Sequence, residues 1–320
     1  MRAVRVHHNG GIDSMVLDQL PDPVPGPGEV LVRVSGAGVN FIEVYHRTGL
    51  YPLELPTVLG AEGAGEVVAV GEGVDASRIG SRVASVNLAG SYAELATVAV
   101  DRVATVPDGV DDVTAAGALL QGMTAHYLLH DVYAVRRGET ILVHAAAGGM
   151  GLLLTQWATR LGVRVIGTAS TPEKADLARA AGAVEVLGYD DVAKQVRDLT
   201  DGEGVAAVYD GVGRSTFDAS LGSLRRHGVL ASFGNASGKV DPVDITRLLA
   251  AGSVYLIRPS LQHYVVTPGE FAHRAATVFE LVQDGELDIR IGDKYPLTEA
   301  GRAHDDLENR RTTGKLVLIP

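Results

Sequence analysis

The chain has 320 residues, which suggests about two domains at roughly 150 residues each. Its 28 lysines and arginines against 39 aspartates and glutamates give a formal charge of −11 and leave no basic stripe, so nucleic acid is not an expected partner. The absence of cysteine excludes disulfides, thiolate nucleophiles and cysteine-bound metals. No apolar run approaches a signal peptide or the roughly 18 residues of a membrane span, so we expect a cytoplasmic protein without a membrane partner.

The first hundred residues carry the pattern of a compact β-rich domain. Short runs of alternating apolar and polar residues occur at 29–34, 66–70 and 82–86. Proline and glycine interrupt them at 21–29 and 47–56, which are predicted to be loops because proline lacks an amide donor and has a fixed φ.

From about residue 121 the pattern changes to strands alternating with helices. Strands are predicted at 140–145, 163–169, 184–189, 205–212, 228–234 and 253–259, and helices at 150–162, 172–182, 191–200 and 215–226. This alternation is typical of a parallel sheet with crossover helices. A helix at 269–284 and a last strand at 315–319 follow, and this end of the chain is expected to rejoin the first domain. The predicted fold is therefore α/β, with a doubly wound parallel sheet inserted into a discontinuous β-rich domain.

The segment "HAAAGGMG" at 144–151 stands where a strand becomes a helix. Ala145, Gly148 and Gly151 have the spacing A-x-x-G-x-x-G, in which small residues permit a tight turn and let the backbone approach a pyrophosphate. The helix that begins near Met150 would direct free N–H groups at the phosphates. We predict a dinucleotide site here, formed by Gly148, Gly149, Met150 and Gly151. An ordinary turn with glycines for packing is the alternative, and the βα repeats around it favour the nucleotide.

The tip of the next strand indicates which dinucleotide binds. An acidic residue there would bind the ribose 2′-OH of NADH and repel the 2′-phosphate of NADPH. No carboxylate stands at the tip itself; Ser170 does, with Lys174 one helical turn later, and Tyr189 ends the third strand. Glu173 is the nearest acid, but it can point away from the phosphate. NADPH is therefore the predicted cofactor, although Lys174 taken alone could be an ordinary solvated lysine.

Several segments together resemble the zinc-independent quinone oxidoreductases of the medium-chain dehydrogenase/reductase superfamily. They lie in the same order as in that family, at 38–52, 60–74, 144–151, 208–213, 232–238 and 258–264. The resemblance implies a GroES-like catalytic domain of residues 1–121 and 264–320, split around a Rossmann NADPH-binding domain of residues 122–263. It also implies a homodimer that pairs the edge strands of the two Rossmann sheets. The zinc ligands of the related alcohol dehydrogenases are missing, since their G-H-E site reads Gly60-Ala61-Glu62 here, so no metal is predicted.

The resemblance also assigns residues to the active site. Asn40, Tyr45 and Tyr51 are expected to line the substrate and nicotinamide cleft, where the tyrosines would stack on a flat ring or donate a proton to a quinone oxygen. Tyrosines that merely pack between domains are the alternative. Thr124 and Tyr127 are expected near the cofactor, Arg258 over the cofactor or substrate, and Lys315 is a weaker phosphate candidate. The nicotinamide half is expected to touch the segment after the fifth strand, at Phe233, Gly234, Asn235 and Ser237.

Hydride transfer needs the donor and acceptor atoms held about 3 to 3.5 Å apart and requires no protein nucleophile. Without a Lewis acid, electron-poor acceptors are favoured. The predicted function is thus the NADPH-dependent reduction of quinones without zinc. An NADPH-dependent reductase of α,β-unsaturated carbonyl compounds is the alternative enzyme. A non-catalytic NADPH-binding protein, like the crystallins of this family, is the alternative from another class, and turnover of a simple quinone would separate them.

Overall fold

The computed structural model describes residues 1–320, which divide into two compact units. The first unit contains Met1–Gln121 and Val265–Pro320, and the second contains Gly122–Tyr264. Tyr264, expected to open the returning segment of the first domain, lies in the second unit instead. Its ring stacks there on Tyr127 with the centroids 4.2 Å apart.

The chain forms sixteen strands and nine α-helices. The first unit opens with β1 (Arg2–Val6), β2 (Met15–Gln19), β3 (Glu29–Val39), α1 (Phe41–Thr48), β4 (Thr57–Val58), β5 (Gly63–Val70), β6 (Arg82–Ser85), β7 (Leu95–Ala99), β8 (Ala104–Thr105) and α2 (Asp112–Tyr127), the last of which continues into the second unit. Next come β9 (Thr140–Val143), α3 (Gly149–Arg160), β10 (Arg164–Thr168), α4 (Pro172–Ala180), β11 (Glu185–Leu187), α5 (Val192–Asp198), β12 (Val205–Asp210), α6 (Phe217–Ser223), β13 (Leu224–Ser232), α7 (Thr246–Ala250) and β14 (Tyr255–Ile257). The chain closes with α8 (Pro268–Gln283), β15 (Ile291–Pro296), α9 (Ala300–Glu308) and β16 (Lys315–Ile319).

The first unit is built on a seven-stranded sheet centred on β3. The order is β15-β16-β3-β5-β6-β8, and β7 pairs with β3 as well. A smaller sheet has the order β2-β1-β4. Val30, Val32 and Val34 alternate along β3 and are buried in the core of this unit, as the period of two along a strand requires. The last strand, β16, pairs antiparallel with β3 and so joins the end of the chain to its beginning.

Helix α1 was not expected, although the apolar residues Phe41, Val44 and Tyr45 recur at helical spacing, because the proline-rich segment at 47–56 suggested a loop. It begins after Asn40, whose backbone is extended, and the carboxylate of Glu43 accepts the Asn40 N–H at 2.9 Å. Gly49, at φ 77°, ends it in the left-handed conformation. The predicted loop at 47–56 thus begins inside a helix.

The second unit has a six-stranded parallel sheet in the order β11-β10-β9-β12-β13-β14. This is the Rossmann strand order, with its reversal between β9 and β12, and ligands bind such sheets at the carboxyl ends of those strands. All six residues of β12 are buried, as expected for a strand covered on both faces. The sheet therefore places the ends of β9 and β12 side by side.

Several boundaries in this unit differ from the prediction. The helix predicted to reach residue 226 ends at Ser223, because Leu224 already pairs with Val205 in the sheet. Tyr189 lies two residues beyond the end of β11 rather than at it. In both units, no helix is both long enough and apolar enough to span a bilayer.

Candidate active site

The turn from β9 to α3 forms a cradle for an anion. Gly148 caps α3 with an extended backbone at φ −75° and ψ 167°, and its N–H donates to the Ala145 carbonyl at 2.9 Å. The first N–H groups of a helix have no partner inside it, and the first turn of α3 carries no acidic side chain. Gly149, Met150 and Gly151 occupy this turn. The arrangement fits a pyrophosphate bound by backbone groups and the positive end of the helix dipole.

Gly151 is the residue that lets α3 approach the strand. A Cβ at this position would lie 2.3 Å from the Ala145 carbonyl oxygen and 2.6 Å from the Cα of Ala146, both of them backbone atoms. At Gly148 the corresponding distance to the Ala145 oxygen is 3.3 Å. Of the two glycines in the A-x-x-G-x-x-G spacing, it is therefore Gly151 whose replacement by a larger residue is blocked by steric clash.

The tip of β10 presents a hydroxyl group and a lysine rather than an acid. Ser170 is exposed, and Lys174 is half-buried in the first turn of α4. The Glu173 side chain is exposed, and the nearby Glu173 backbone N–H and Thr171 hydroxyl lower its pKa. Thr171 caps α4, and Glu173 stands in its first turn, where a carboxylate interacts favourably with the helix dipole.

The other residues of the second unit that were predicted for the cofactor lie near the carboxyl edge of the same sheet, except for two on α2. The loop after β13 is fixed to the end of β12, since the Phe233 N–H donates to the Asp210 carbonyl at 2.9 Å and the Ser237 N–H to the Val212 carbonyl at 2.7 Å. Gly234, buried, and Asn235 lie between these two anchors. Arg258, just beyond β14, donates to the Ser232 carbonyl at 2.7 Å.

The two exceptions are on α2. Thr124 and Tyr127 are 8% and 2% exposed, and the Tyr127 ring stacks on Tyr264. The structure gives them a packing role in the second unit, and their contact with a cofactor stays a prediction.

In the first unit, α1 brings together two of the three residues predicted for catalysis. Tyr45, 7% exposed, meets Tyr51 edge-on with the ring centroids 5.2 Å apart. The Tyr51 N–H also donates to the Tyr45 carbonyl at 3.1 Å. The tyrosines are thus held against each other by side chain and backbone together.

Asn40, the third, belongs to a buried ionic cluster that the sequence did not reveal. Lys315 Nζ donates to Asn40 Oδ1 at 2.5 Å and to Glu62 Oε2 at 2.6 Å, while Asn40 Nδ2 donates to Glu62 Oε2 at 3.0 Å. The other Glu62 oxygen accepts the Leu120 N–H at 2.8 Å. Lys315 and Glu62 are 1% and 0% exposed, so Lys315 as a phosphate ligand is wrong: the ammonium group neutralises a buried carboxylate.

Glu43 extends this cluster. Its carboxyl group is fully buried, and burial raises its pKa to about 8 against the opposing attraction of Lys315. One oxygen accepts the Asn40 N–H, and the other has no partner. The spacing Asn40-x-x-Glu43 is that of a capping box, which is the sequence signal that could have predicted both α1 and this carboxyl group. No group of three or more His, Cys, Asp or Glu side chains has an arrangement that could hold a metal.

A second buried polar chain lies in the second unit and was also missed. His144 Nδ1 is 3.1 Å from Thr168 Oγ1, and its Nε2 is 3.0 Å from Ser220 Oγ, which donates to Asp210 Oδ2 at 2.7 Å. We call these four residues, Thr168, His144, Ser220 and Asp210, the His144 network. The Tyr189 ring lies roughly parallel to the His144 ring, 6.3 Å away.

Comparisons with known proteins agree with both units. The "Alcohol dehydrogenase GroES-like domain" family matches residues 26–136, and the "Zinc-binding dehydrogenase" family matches residues 149–272. A quinone oxidoreductase of Pseudomonas aeruginosa is 48% identical over 300 residues, covering 92% of each chain. The chain belongs to the quinone oxidoreductase family of the medium-chain dehydrogenase/reductase superfamily.

Two further members of the superfamily bear on the active site. A 2-haloacrylate reductase from a Burkholderia species is 40% identical over 328 residues, covering 99% of this chain and 98% of that protein. The crystal structure of Escherichia coli quinone oxidoreductase complexed with NADPH matches with a TM-score of 0.97 at 39% identity, covering all of both chains. The fold of this chain is thus a GroES-like domain with a Rossmann domain, and the protein is an oxidoreductase of this family.

Proposed function

We propose that the protein reduces quinones with NADPH and without zinc. The observation that carries the proposal is a pair of neighbouring features at the sheet edge: a helix start at α3 without acidic side chains, and a β10 tip without a carboxylate, whose nearest acid is Glu173 in the first turn of α4. That combination favours a dinucleotide with a 2′-phosphate. The relationship to quinone oxidoreductases supports the choice of acceptor.

The cofactor, when bound, supplies a hydride, and the chain supplies its position. We assign the pyrophosphate to Gly148, Gly149, Met150 and Gly151 at the start of α3. Ser170, Lys174 and Tyr189 are assigned to the 2′-phosphate. Contacts of the nicotinamide half with individual residues remain predictions, namely those with Asn40, Thr124, Tyr127, Phe233, Gly234, Asn235, Ser237 and Arg258.

Tyr45 and Tyr51 are our candidates for the proton that a quinone takes up after hydride transfer. A phenol hydroxyl can donate a hydrogen bond to the oxygen on which charge develops. The Glu62 carboxylate supports a reaction without zinc, because it is already bonded by the Lys315 ammonium group and two N–H donors. We expect at least one of the single variants Tyr45→Phe and Tyr51→Phe to have a lower kcat than wild type. An unchanged kcat in both variants would show that neither hydroxyl donates the proton.

The direct test is NADPH oxidation, followed by absorbance, with 1,4-benzoquinone as acceptor and NADH in parallel. We expect turnover with NADPH and little with NADH. Lys174→Ala should raise the KM for NADPH about tenfold or more and leave that for NADH unchanged, as expected for loss of one charged contact. Lys194→Ala is the matched control, since that exposed lysine bonds only Asp198 on its own helix, α5. Equal effects of the two variants would contradict the assignment of Lys174.

A second candidate function is the reduction of a carbon–carbon double bond next to a carbonyl or carboxylate group. It is favoured by the 40% identity to a 2-haloacrylate reductase over nearly the whole chain. The same assay with 2-chloroacrylate and a trans-2-enone separates the two enzymes. NADPH binding without turnover of either acceptor class would indicate a non-catalytic NADPH-binding protein.

We also propose that the protein is a cytoplasmic homodimer. The edge strand β14 ends the six-stranded sheet, and exposed apolar side chains lie on it, on α7 and at the residue that precedes α7. Tyr255, Leu249 and Ile245 are 63%, 71% and 78% exposed. Apolar groups of this size on an open sheet edge are typical of a surface that pairs with a second copy.

Cell fractionation with an antibody to the protein tests the proposed cytoplasmic location.

A further inference from the structure

The His144 network connects two turns at the edge where the dinucleotide is proposed to bind. His144 directly follows β9, Thr168 ends β10, and Asp210 ends β12. Ser220 reaches them from α6. All four side chains are at most 3% exposed, so water does not compete for their hydrogen bonds.

The available donors fix the direction of every hydrogen bond in the network. The Asp210 carboxylate has no proton to give, and it accepts from the Val212 and Gly213 N–H groups and from the Thr216 hydroxyl. Ser220 Oγ therefore donates to Asp210 Oδ2 and is left as an acceptor for His144 Nε2–H. Burial lowers the pKa of His144, although the Asp210 charge acts in the opposite direction. Because of this lowered pKa, the ring is neutral. Its Nδ1 is then an acceptor for the Thr168 hydroxyl.

The network ends on the backbone of the cofactor turn. Thr168 Oγ1 accepts the Ala145 N–H at 3.1 Å, and the Thr168 carbonyl accepts the Ala146 N–H at 2.9 Å. Ala145 has φ 52°, a left-handed conformation that is unfavourable for alanine, and its carbonyl accepts the Gly148 N–H. At the other end, the two N–H groups held by Asp210 belong to the turn after β12, on which the 233–237 loop is anchored.

We propose that the His144 network positions the β9–α3 and β12–α6 turns for the cofactor, so that Thr168 and Ser220 set the affinity for NADPH without touching it. This inference rests on the proposed function, because it assumes that NADPH binds at the β9–α3 turn. The residues are positioning residues. Their loss relaxes the strained conformation of Ala145, and with it the direction of the N–H groups that face the pyrophosphate.

Two matched pairs of variants test the proposal in the full-length protein. Thr168→Val removes the hydroxyl and keeps the shape, whereas Thr168→Ser keeps the hydroxyl and removes a methyl group. Ser220→Ala breaks the network, whereas Ser223→Ala removes another buried hydroxyl of α6 that donates only to the Ala219 carbonyl. The dissociation constant for NADPH is measured by titration calorimetry on variants shown to be folded by circular dichroism.

We expect T168V and S220A to raise the NADPH dissociation constant about tenfold, as for one lost hydrogen bond in a charged network, while T168S and S223A stay within about twofold of wild type. The kcat at saturating NADPH should change little in all four. The nitrogen chemical shifts of His144 should report a neutral ring protonated at Nε2, and S220A should change them. If T168V does not fold, the Ser220 and Ser223 pair makes the same comparison.

The outcomes separate this inference from the proposed function. Wild-type affinity in T168V and S220A overturns the inference and leaves quinone reduction untouched. Affinity that follows side-chain volume, weak in T168S and normal in T168V, overturns it in favour of simple packing. A wild-type protein that binds NADPH but reduces no quinone contradicts the proposed reaction and leaves the inference standing, and one that binds no NADPH contradicts both.

Discussion

Glu43 is a carboxyl group without access to water. Its folded-state pKa of about 8 stands well above its ordinary value of 4.5, because burial penalises the charged form. The unfolded chain releases this proton near pH 4.5, and the folded protein keeps it until near pH 8. The contribution of Glu43 to stability is therefore fully present below pH 4.5 and is lost as the pH rises to about 8.

Replacement of Glu43 by glutamine should remove this pH dependence. We expect the unfolding free energy of wild type to fall by a few kcal/mol relative to the variant between about pH 5 and pH 8, since each unit of pKa difference corresponds to about 1.4 kcal/mol. Urea unfolding across this range measures it, with Glu66→Gln, an exposed glutamate on β5, as control. Parallel curves for wild type and E43Q would show that Glu43 ionises normally in the folded protein.

Thr155 carries a buried hydroxyl group that has no hydrogen-bond partner. It is 0% exposed in α3, and its Oγ1 has no hydrogen bond. Thr155→Val replaces the hydroxyl by a methyl group of the same shape and should stabilise the protein by about 1 kcal/mol. Thr216→Val, in which the lost hydroxyl donates to Asp210, should destabilise it instead. Denaturation midpoints at unchanged m-value measure both, and a loss of stability in T155V would mean that its hydroxyl has a partner after all.

At the scale of single elements, α3 separates the packing role of a glycine from its binding role. Gly151→Ala places a methyl group against backbone atoms of residues 145 and 146 and should cost about 2 kcal/mol of stability together with NADPH binding. Gly148→Ala meets only the Ala145 oxygen at 3.3 Å, so we expect nearly normal stability with weaker NADPH binding. Thermal unfolding and NADPH titration of the two variants test this, and equal stability of both would refute the close approach at Gly151.

Single elements show where sequence patterns predict the structure correctly and where they fail. The strand-turn-helix unit around 144–151 was predicted because its glycine spacing and its apolar runs are local features. Helix α1 was missed although Asn40, Glu43 and Gly49 carried the start and stop signals, since proline-rich neighbours suggested a loop. The end of α6 was misplaced because nothing local to Leu224 announces its pairing with Val205.

At the scale of the whole molecule, the proposed dimer depends on the exposed apolar groups of α7 and β14. Leu249→Asp places a charge on that surface and should convert an assembly of about twice 33.5 kDa into a monomer, because a buried unpaired charge opposes association. Val24→Asp, at an exposed valine in the 21–29 loop of the first unit, is the control and should stay dimeric. Sedimentation equilibrium measures the mass of wild type and of both variants in solution. A monomeric wild type, or a dimeric L249D, would contradict this interface.

The amino-acid sequence alone predicted the fold class and the strand-turn-helix unit at 144–151, because hydrophobic periods and glycine spacings act over a few residues. The superfamily followed from the resemblance of whole segments rather than from these local patterns. Lys315 and Glu62 are separated by 253 positions, and His144 and Ser220 by 76, so no local pattern could pair them. Their partners follow from sheet order, which puts β16 beside β3 and β9 beside β12. Folding also changed the chemistry of single groups: it buried Lys315 as the counter-ion of Glu62, and it excluded from Glu43 the water that would otherwise keep that carboxylate charged.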